Sequence, residues 1–234
     1  MPSFKAVSDL FEKAAGFLRR LGLRADGATL LGLAFTALAG LIIALGAFFA
    51  AAIVASVGGF FDLMDGRIAR LDGGGTRPGA ILDSTLDRYG DAFLFGGFVC
   101  WFSRAHEPVY AVLAFSALVG AFATSYVRAR SEGLGQPCQV GFWERAERVV
   151  LVLIALVFGN VHLAIVYLGV LTHLTAVERL IYARHKMGVG GHAAADELSN
   201  AWIQTWILNE GGRRTAAYWV KAGLFAATAA VIRI

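Results

Sequence analysis

Charge is scarce in this sequence. Asp, Glu, Lys and Arg make up 16% of its 234 residues, against 57% hydrophobic residues. With a mean hydropathy of +0.62, that balance excludes an ordinary soluble domain of this size, in which roughly a quarter of residues are charged. Cysteine is nearly missing as well. Cys100 and Cys138 sit far apart, one inside a hydrophobic stretch, and have no metal-ligand spacing, so neither is assigned a function. An uninterrupted apolar core is absent from the N-terminus, where Lys5, Asp9, Glu12, Lys13, Arg19 and Arg20 break it, and no cleavable signal peptide is expected. Internal repeats, low-complexity tracts and long linkers are also lacking. The net charge of +4 does not indicate a nucleic-acid partner, because the basic residues fall beside hydrophobic runs.

Long apolar runs fill the chain instead. Ala28 to Phe61 is 34 residues without a charge, Pro108 to Val127 is 20, and Val149 to Val177 is 29, interrupted only by His162 and His173. One membrane span needs about 20 residues. The 34-residue run is too long for one helix and too short for two full spans with a turn. Its second helix must therefore continue into charged sequence, carrying Asp62, Asp65, Arg67 and Arg70. A third span starts near Gly79 and takes Asp83, Asp87 and Asp91 in its opening turns. A fourth ends in Ser125 to Arg130, a fifth begins near Phe142 with Glu144, Arg145, Glu147 and Arg148, and a sixth ends with Glu178, Arg179 and Arg184. The fold class expected is an all-α membrane protein of six transmembrane helices. Residues 1–22 are expected as an amphipathic interfacial helix, 23–187 as the six-helix domain, and 188–234 as a polar segment and an apolar, surface-lying helix. In the first segment Phe4, Val7, Leu10, Phe11, Ala14, Phe17, Leu18 and Leu21 recur at helical spacing.

Consecutive spans alternate in direction, so the charged ends all face one side. Of the 17 Lys and Arg up to Lys186, only Arg104 falls in an opposite-side connection, which marks the charged side as cytoplasmic in a multi-pass protein of the cell membrane. Ionisable groups within a span are costly and point to function. Asp62 and Asp65 stand at i, i+3 and Asp83 and Asp87 at i, i+4, so each pair shares a helix face. Four carboxylates in one low-dielectric volume repel unless protons or divalent cations neutralise them, and all-oxygen ligation favours Mg²⁺ or Mn²⁺. Such a metal pair can hold a pyrophosphate and stabilise a leaving phosphate. The alternative is that the aspartates pair with Arg67, Arg70, Arg77 and Arg88 merely to finish helices. An acidic cluster within spans is also what a cation transporter would carry. Gly66 and Gly79 leave room for close approach, and Asp26 with Thr29 can add polar contacts to a nucleotide.

The segment Asp62-Leu-Met-Asp65-Gly66-Arg-Ile-Ala69-Arg70, followed by Gly79, Asp83 and Asp87, resembles the CDP-alcohol phosphotransferase signature D-x2-D-G-x2-A-R-x8-G-x3-D-x3-D at every fixed position. The resemblance covers roughly residues 20 to 186 and not the tail. It implies that Asp62, Asp65 and Asp83 bind two metal ions, Mg²⁺ or Mn²⁺, and that Asp87 contacts the second ion and acts as general base. It further implies that Asp26, Gly27, Ala28, Thr29, Gly66, Ala69, Arg70, Thr76 and Gly79 line the site of a CDP-lipid, from which CMP leaves. Ala25 departs from the proline that many relatives carry before the Asp26 position, which touches only local rigidity.

A second group, Ser125, Arg128, Arg130, Arg145, Arg148 and Arg179, shares the same polar layer, and converging arginines suit a phosphate. Contact with lipid headgroups is the competing reading, favoured for Arg145 and Arg184. Ser-Tyr-Val-Arg-Ala-Arg and Glu-Arg-Ala-Glu-Arg resemble the acceptor-site motifs of phosphatidylinositol-phosphate synthases, and archaetidylinositol-phosphate synthases are similar there too. The resemblance implies Ser125, Arg128, Arg148 and Arg179 as acceptor-phosphate ligands. It also implies CDP-diacylglycerol as donor, inositol 3-phosphate as acceptor with glycerol 3-phosphate as the alternative polyol phosphate, and a homodimer.

Overall fold

The computed structural model describes residues 2–138, 140–141 and 144–188. Its helices are α1 (Pro2–Arg20), α2 (Ala25–Ala44), α3 (Phe48–Leu71), α4 (Arg77–Arg104), α5 (Pro108–Gly133), α6 (Arg145–Phe158) and α7 (Val161–Gly188), and no strand occurs among the described residues. The 34-residue apolar run is split at Gly46, whose φ of +82° a side chain would resist. Beyond that turn α3 runs on through Asp62, Asp65 and Arg70.

Among the described residues, four helices, α2, α3, α5 and α7, are long and apolar enough to cross a bilayer. The six-span expectation is met only to that extent. Helix α4 has 28 residues, but Arg77, Asp83, Asp87 and Arg88 occupy its first half and Asp91 follows directly. Helix α6 has 14 residues, about 21 Å at 1.5 Å per residue, short of the roughly 30 Å hydrocarbon core. It was expected to begin near Phe142. It starts instead at Arg145, where the Glu144 N–H donates to the Glu147 carboxylate at 2.9 Å and caps the first turn. Phe142 lies outside the described residues, as do 189–234 and the apolar helix expected there.

The chain forms two compact units that divide after Ala111. In the first, α2 packs on both α3 and α4, and α1 packs on α3. Small residues permit the α2–α4 contact: a methyl added at Gly40 would overlap the Phe93 carbonyl, and one at Gly97 would overlap the Gly40 carbonyl. Helix α1 divides its apolar residues between two surroundings. Phe11, Ala14, Ala15 and Leu18 pack with Ala28, Met64 and Ile68, while Leu10 and Phe17 remain 66% and 62% exposed.

In the second unit α6 packs on α7. Polar groups join α5 to α7: the Ser116 hydroxyl donates to the Gly169 carbonyl at 3.1 Å, and the buried Thr124 hydroxyl to the Thr172 carbonyl at 3.0 Å. Such bonds satisfy groups that lipid would leave unpaired.

Candidate active site

The last turns of α3 and the first turns of α4 carry the aspartates, and the link between them is built from local sequence. Gly73 and Gly74 adopt φ of +101° and +112°. Their N–H groups donate to Arg70 and Ala69 carbonyls at 3.3 and 2.9 Å, closing α3 in a Schellman arrangement. Thr76 then caps α4, its hydroxyl accepting the Gly79 N–H at 3.1 Å, with Pro78 in the first turn where no intrahelical donor is lost.

This geometry brings one carboxylate oxygen each from Asp62, Asp83 and Asp87 within 4.8 Å of one another, all three residues half-buried. Three carboxylates at such range repel, and a bound cation removes the repulsion. The hard, all-oxygen donor set fits Mg²⁺ or Mn²⁺ and lacks the nitrogen or sulfur ligands that favour zinc. Asp65 is not one of the three within 4.8 Å but lines the adjoining cavity with Asp83. It is 8% exposed and turned toward α2, where its Oδ2 accepts the Thr29 hydroxyl at 2.9 Å while Oδ1 accepts the Gly66 N–H. Three residues along a helix rotate a side chain by about 60°, enough to aim Asp65 at a different neighbour from Asp62. Three of the four expected metal-site carboxylates thus lie within 4.8 Å of one another, and Asp65 lines the adjoining cavity wall with Asp83.

The ion-pair alternative is met at Asp87, where Arg88 Nη2 lies 3.3 Å from Asp87 Oδ2. Arg67 donates to the Leu63 carbonyl at 3.0 Å and sits 4.9 Å over the Phe11 ring. Asp91, one turn past Asp87, is buried at 3% exposure and is not part of the trio.

A cavity of about 920 Å³ opens beside the cluster, at the upper end of the size range of ligand pockets. Of the expected donor-site residues, Asp26, Thr29, Gly66, Ala69, Thr76 and Gly79 line it, and Gly27, Ala28 and Arg70 do not. Asp26 and Thr29 share one face of α2, whereas Ala28 is turned into the core with Met64 and Ile68. Arg70 is exposed. Arg19, Arg24, Asp72 and Arg77 also line the cavity, residues that sequence reasoning did not assign to the donor site. Arg19 and Asp72 meet there at 2.6 Å, tying the end of α1 to the end of α3. Asp83 belongs to both the cavity wall and the carboxylate trio, so the two are one continuous site.

In the second unit Arg148 and Arg179 are buried at 2% and 3% exposure. Ser125 is half-buried, and Arg128 is exposed with its Nε donating to Glu132 at 2.9 Å. Arg179 is held by backbone: Nε donates to the Val140 carbonyl at 2.6 Å and Nη1 to the Thr124 carbonyl at 3.1 Å. Its Nη2 faces Glu144 Oε1 at 3.5 Å. Arg184 is exposed, as a headgroup-facing residue would be.

Comparison with known proteins follows the same residues. The sequence model of the CDP-alcohol phosphatidyltransferase family matches residues 23–180. A phosphatidylinositol phosphate synthase of Streptomyces avermitilis is 35% identical over 198 residues, 78% of this chain and 81% of that protein. An archaetidylinositol phosphate synthase of Pyrococcus horikoshii is 30% identical over 190 residues, 79% of this chain and 96% of that one. The crystal structure of Mycobacterium tuberculosis phosphatidylinositol phosphate synthase with CDP-DAG bound superposes with a TM-score of 0.73 at 31% identity, covering 80% of this chain and 99% of that chain. The same enzyme in complex with manganese and citrate gives a TM-score of 0.73 at 31% identity, covering 79% of this chain and 93% of that one.

Proposed function

Because the chain belongs to the CDP-alcohol phosphatidyltransferase family, we propose that it transfers the phosphatidyl group of CDP-diacylglycerol to inositol 3-phosphate, giving phosphatidylinositol phosphate and CMP. The observation that carries this reading is the continuity, through Asp83, between a nucleotide-sized cavity and a carboxylate trio. Relatives named for inositol phosphate lipids, over most of their length, support the acceptor.

In this reading Asp26, Thr29, Gly66, Ala69, Thr76 and Gly79 hold the CDP headgroup in the cavity. Gly27, Ala28 and Arg70 stand outside the cavity wall and support it from the same helices. Asp62, Asp83 and Asp87, with Asp65 alongside, would hold two divalent ions, Mg²⁺ or Mn²⁺, which when bound offset the diphosphate charge and that of the departing phosphate. Asp87 takes the proton of the acceptor hydroxyl as its oxygen bonds to the phosphorus that carries diacylglycerol. The bond from that phosphorus to the CMP oxygen breaks, and CMP leaves with the electron pair. Thr29 keeps the Asp65 carboxylate oriented through its 2.9 Å hydrogen bond. Positioning and charge stabilisation supply most of the rate in such transfers. Ser125, Arg128, Arg148 and Arg179 recognise the acceptor phosphate, the burial of Arg148 and Arg179 favouring a desolvated anion site over a lipid-facing fringe.

The same reading takes α2 to α7 as six spans of a cell-membrane protein with its active site at the cytoplasmic face. The bias that leaves only Arg104 of 17 Lys and Arg in an opposite-side connection supports it. Helix α1 lies along the membrane surface through its exposed Leu10 and Phe17, and the protein works as a homodimer. Purified protein given CDP-diacylglycerol and a panel of alcohols tests the acceptor. Inositol 3-phosphate should be used ahead of glycerol 3-phosphate, and a preference for free inositol or serine sinks the assignment.

A further inference from the structure

The connection between α5 and α6 is built onto one guanidinium. Arg179, 4% exposed at its side chain, receives the Val140 carbonyl on Nε and the Glu144 carboxylate on Nη2, while α5 supplies the Thr124 carbonyl to Nη1. Gly141, at φ +144°, is pressed so close that a methyl there would stand 3.0 Å from Arg179 Nε and 3.2 Å from Nη2. These contacts differ in kind. The two carbonyl bonds, at 2.6 and 3.1 Å, are neutral and buried or part-buried. The carboxylate contact is the longest at 3.5 Å, it is the anionic one, and its side chain is 49% exposed. A buried guanidinium needs a counter-charge. Here the counter-charge comes from a carboxylate that is half-exposed to solvent and shared with the capping box at the start of α6.

We propose that Glu144 is a placeholder anion for the acceptor phosphate: its carboxylate neutralises Arg179 Nη2 until a phosphate monoester displaces it, so Glu144 sets how strongly the site favours phosphorylated acceptors. The inference rests on Arg179 being an acceptor-phosphate ligand. Glu144 is a positioning residue that acts through Arg179 and sets the affinity threshold, because each phosphate that binds must first break the ion pair. A phosphate wins the exchange by carrying more charge and more acceptor oxygens than a carboxylate. An unphosphorylated polyol offers neither and leaves Glu144 in place.

The test uses the full chain in lipid or detergent. Glu144→Gln removes the competing charge and should lower the KM for the phosphorylated acceptor about 2- to 5-fold, the range expected for an ion pair of which one partner is half-exposed. The effect should fall on KM and not kcat, and the inhibition constant of inorganic phosphate should fall by a similar factor. Glu144→Asp keeps the charge but withdraws the carboxylate by one methylene, and should move KM in the same direction. A wild-type KM for Glu144→Asp beside a lowered KM for Glu144→Gln would mean a general field effect and overturn the proposal. Arg179→Gln separates this idea from the reading beneath it. If Arg179→Gln raises KM while both Glu144 variants match wild type, the placeholder fails and the phosphate reading stands. If Arg179→Gln leaves KM unchanged, both fall. Should Arg179→Gln not fold, Arg179→Lys takes its place, since it keeps the buried positive charge but loses the forked donors and should raise KM.

Discussion

Asp83 is one of three carboxylates gathered within 4.8 Å and also a wall of the donor cavity, so losing it should damage both. Asp83→Ala is expected to abolish CMP release and to remove the response to added Mg²⁺, read by titrating the metal against the variant and the wild type. Asp87→Asn should cut kcat by about 10²- to 10⁴-fold, the range for a lost general base, with CDP-lipid binding retained in a direct binding measurement. Arg148→Ala should raise the acceptor KM with kcat little changed if Arg148 binds the phosphate equally in ground and transition states; an unchanged KM contradicts that role. Much of this site was legible from spacing. Intervals of three and four residues place Asp62, Asp83 and Asp87 on helix faces before any packing is known. The turn of Asp65 onto Thr29 was not legible, because it depends on the register of α2 against α3. Arg19 was read as part of a charged helix face, and only its 2.6 Å contact with Asp72 places it at the cavity. The carbonyls of Thr124 and Val140 that fix Arg179 carry no side-chain signature at all.

Among the elements, run length did most of the locating. A 34-residue neutral run required a break and a continuation into charged sequence, and Gly46 and the extension of α3 to Leu71 supply both. The α6 boundary was missed because composition continues smoothly across it, while the Glu147 carboxylate on the Glu144 N–H sets the start. The amphipathic pattern of α1 was visible, but not its division: one apolar stripe cannot reveal that Phe11 and Leu18 pack on protein while Leu10 and Phe17 do not. The α2–α4 contact yields a prediction at this scale. Gly40→Leu forces side-chain atoms into the Phe93 backbone and should destabilise the first unit by at least the 1–3 kcal/mol typical of overpacking. A lowered thermal midpoint in detergent, absent for a substitution at Gly59, where an added methyl meets nothing within 4 Å, checks it.

For the whole molecule, the chain folds as two compact units, with the aspartates and the cavity in the first and the buried Arg148 and Arg179 in the second. Among the described residues, four helices are long and apolar enough to span a bilayer by themselves. The other two spans of the reading, α4 and α6, fall short because charge fills the first half of one and the other has 14 residues. On the six-span reading, hydropathy alone understates such helices, since charged residues within them lower their apolar character. Metal removal acts on the whole enzyme: a chelator should abolish activity, and Mg²⁺ or Mn²⁺ should restore it, whereas Ca²⁺, with longer bonds and looser geometry, should restore it poorly. The central claim is that a CDP-lipid phosphate passes to a phosphorylated alcohol at this aspartate cluster. Its most direct test is to supply the purified protein with CDP-diacylglycerol and labelled inositol 3-phosphate and to measure CMP release alongside label in the lipid. Equimolar CMP and labelled phospholipid, both lost in Asp87→Asn, is the predicted result; labelled lipid formed undiminished by that variant would contradict the account.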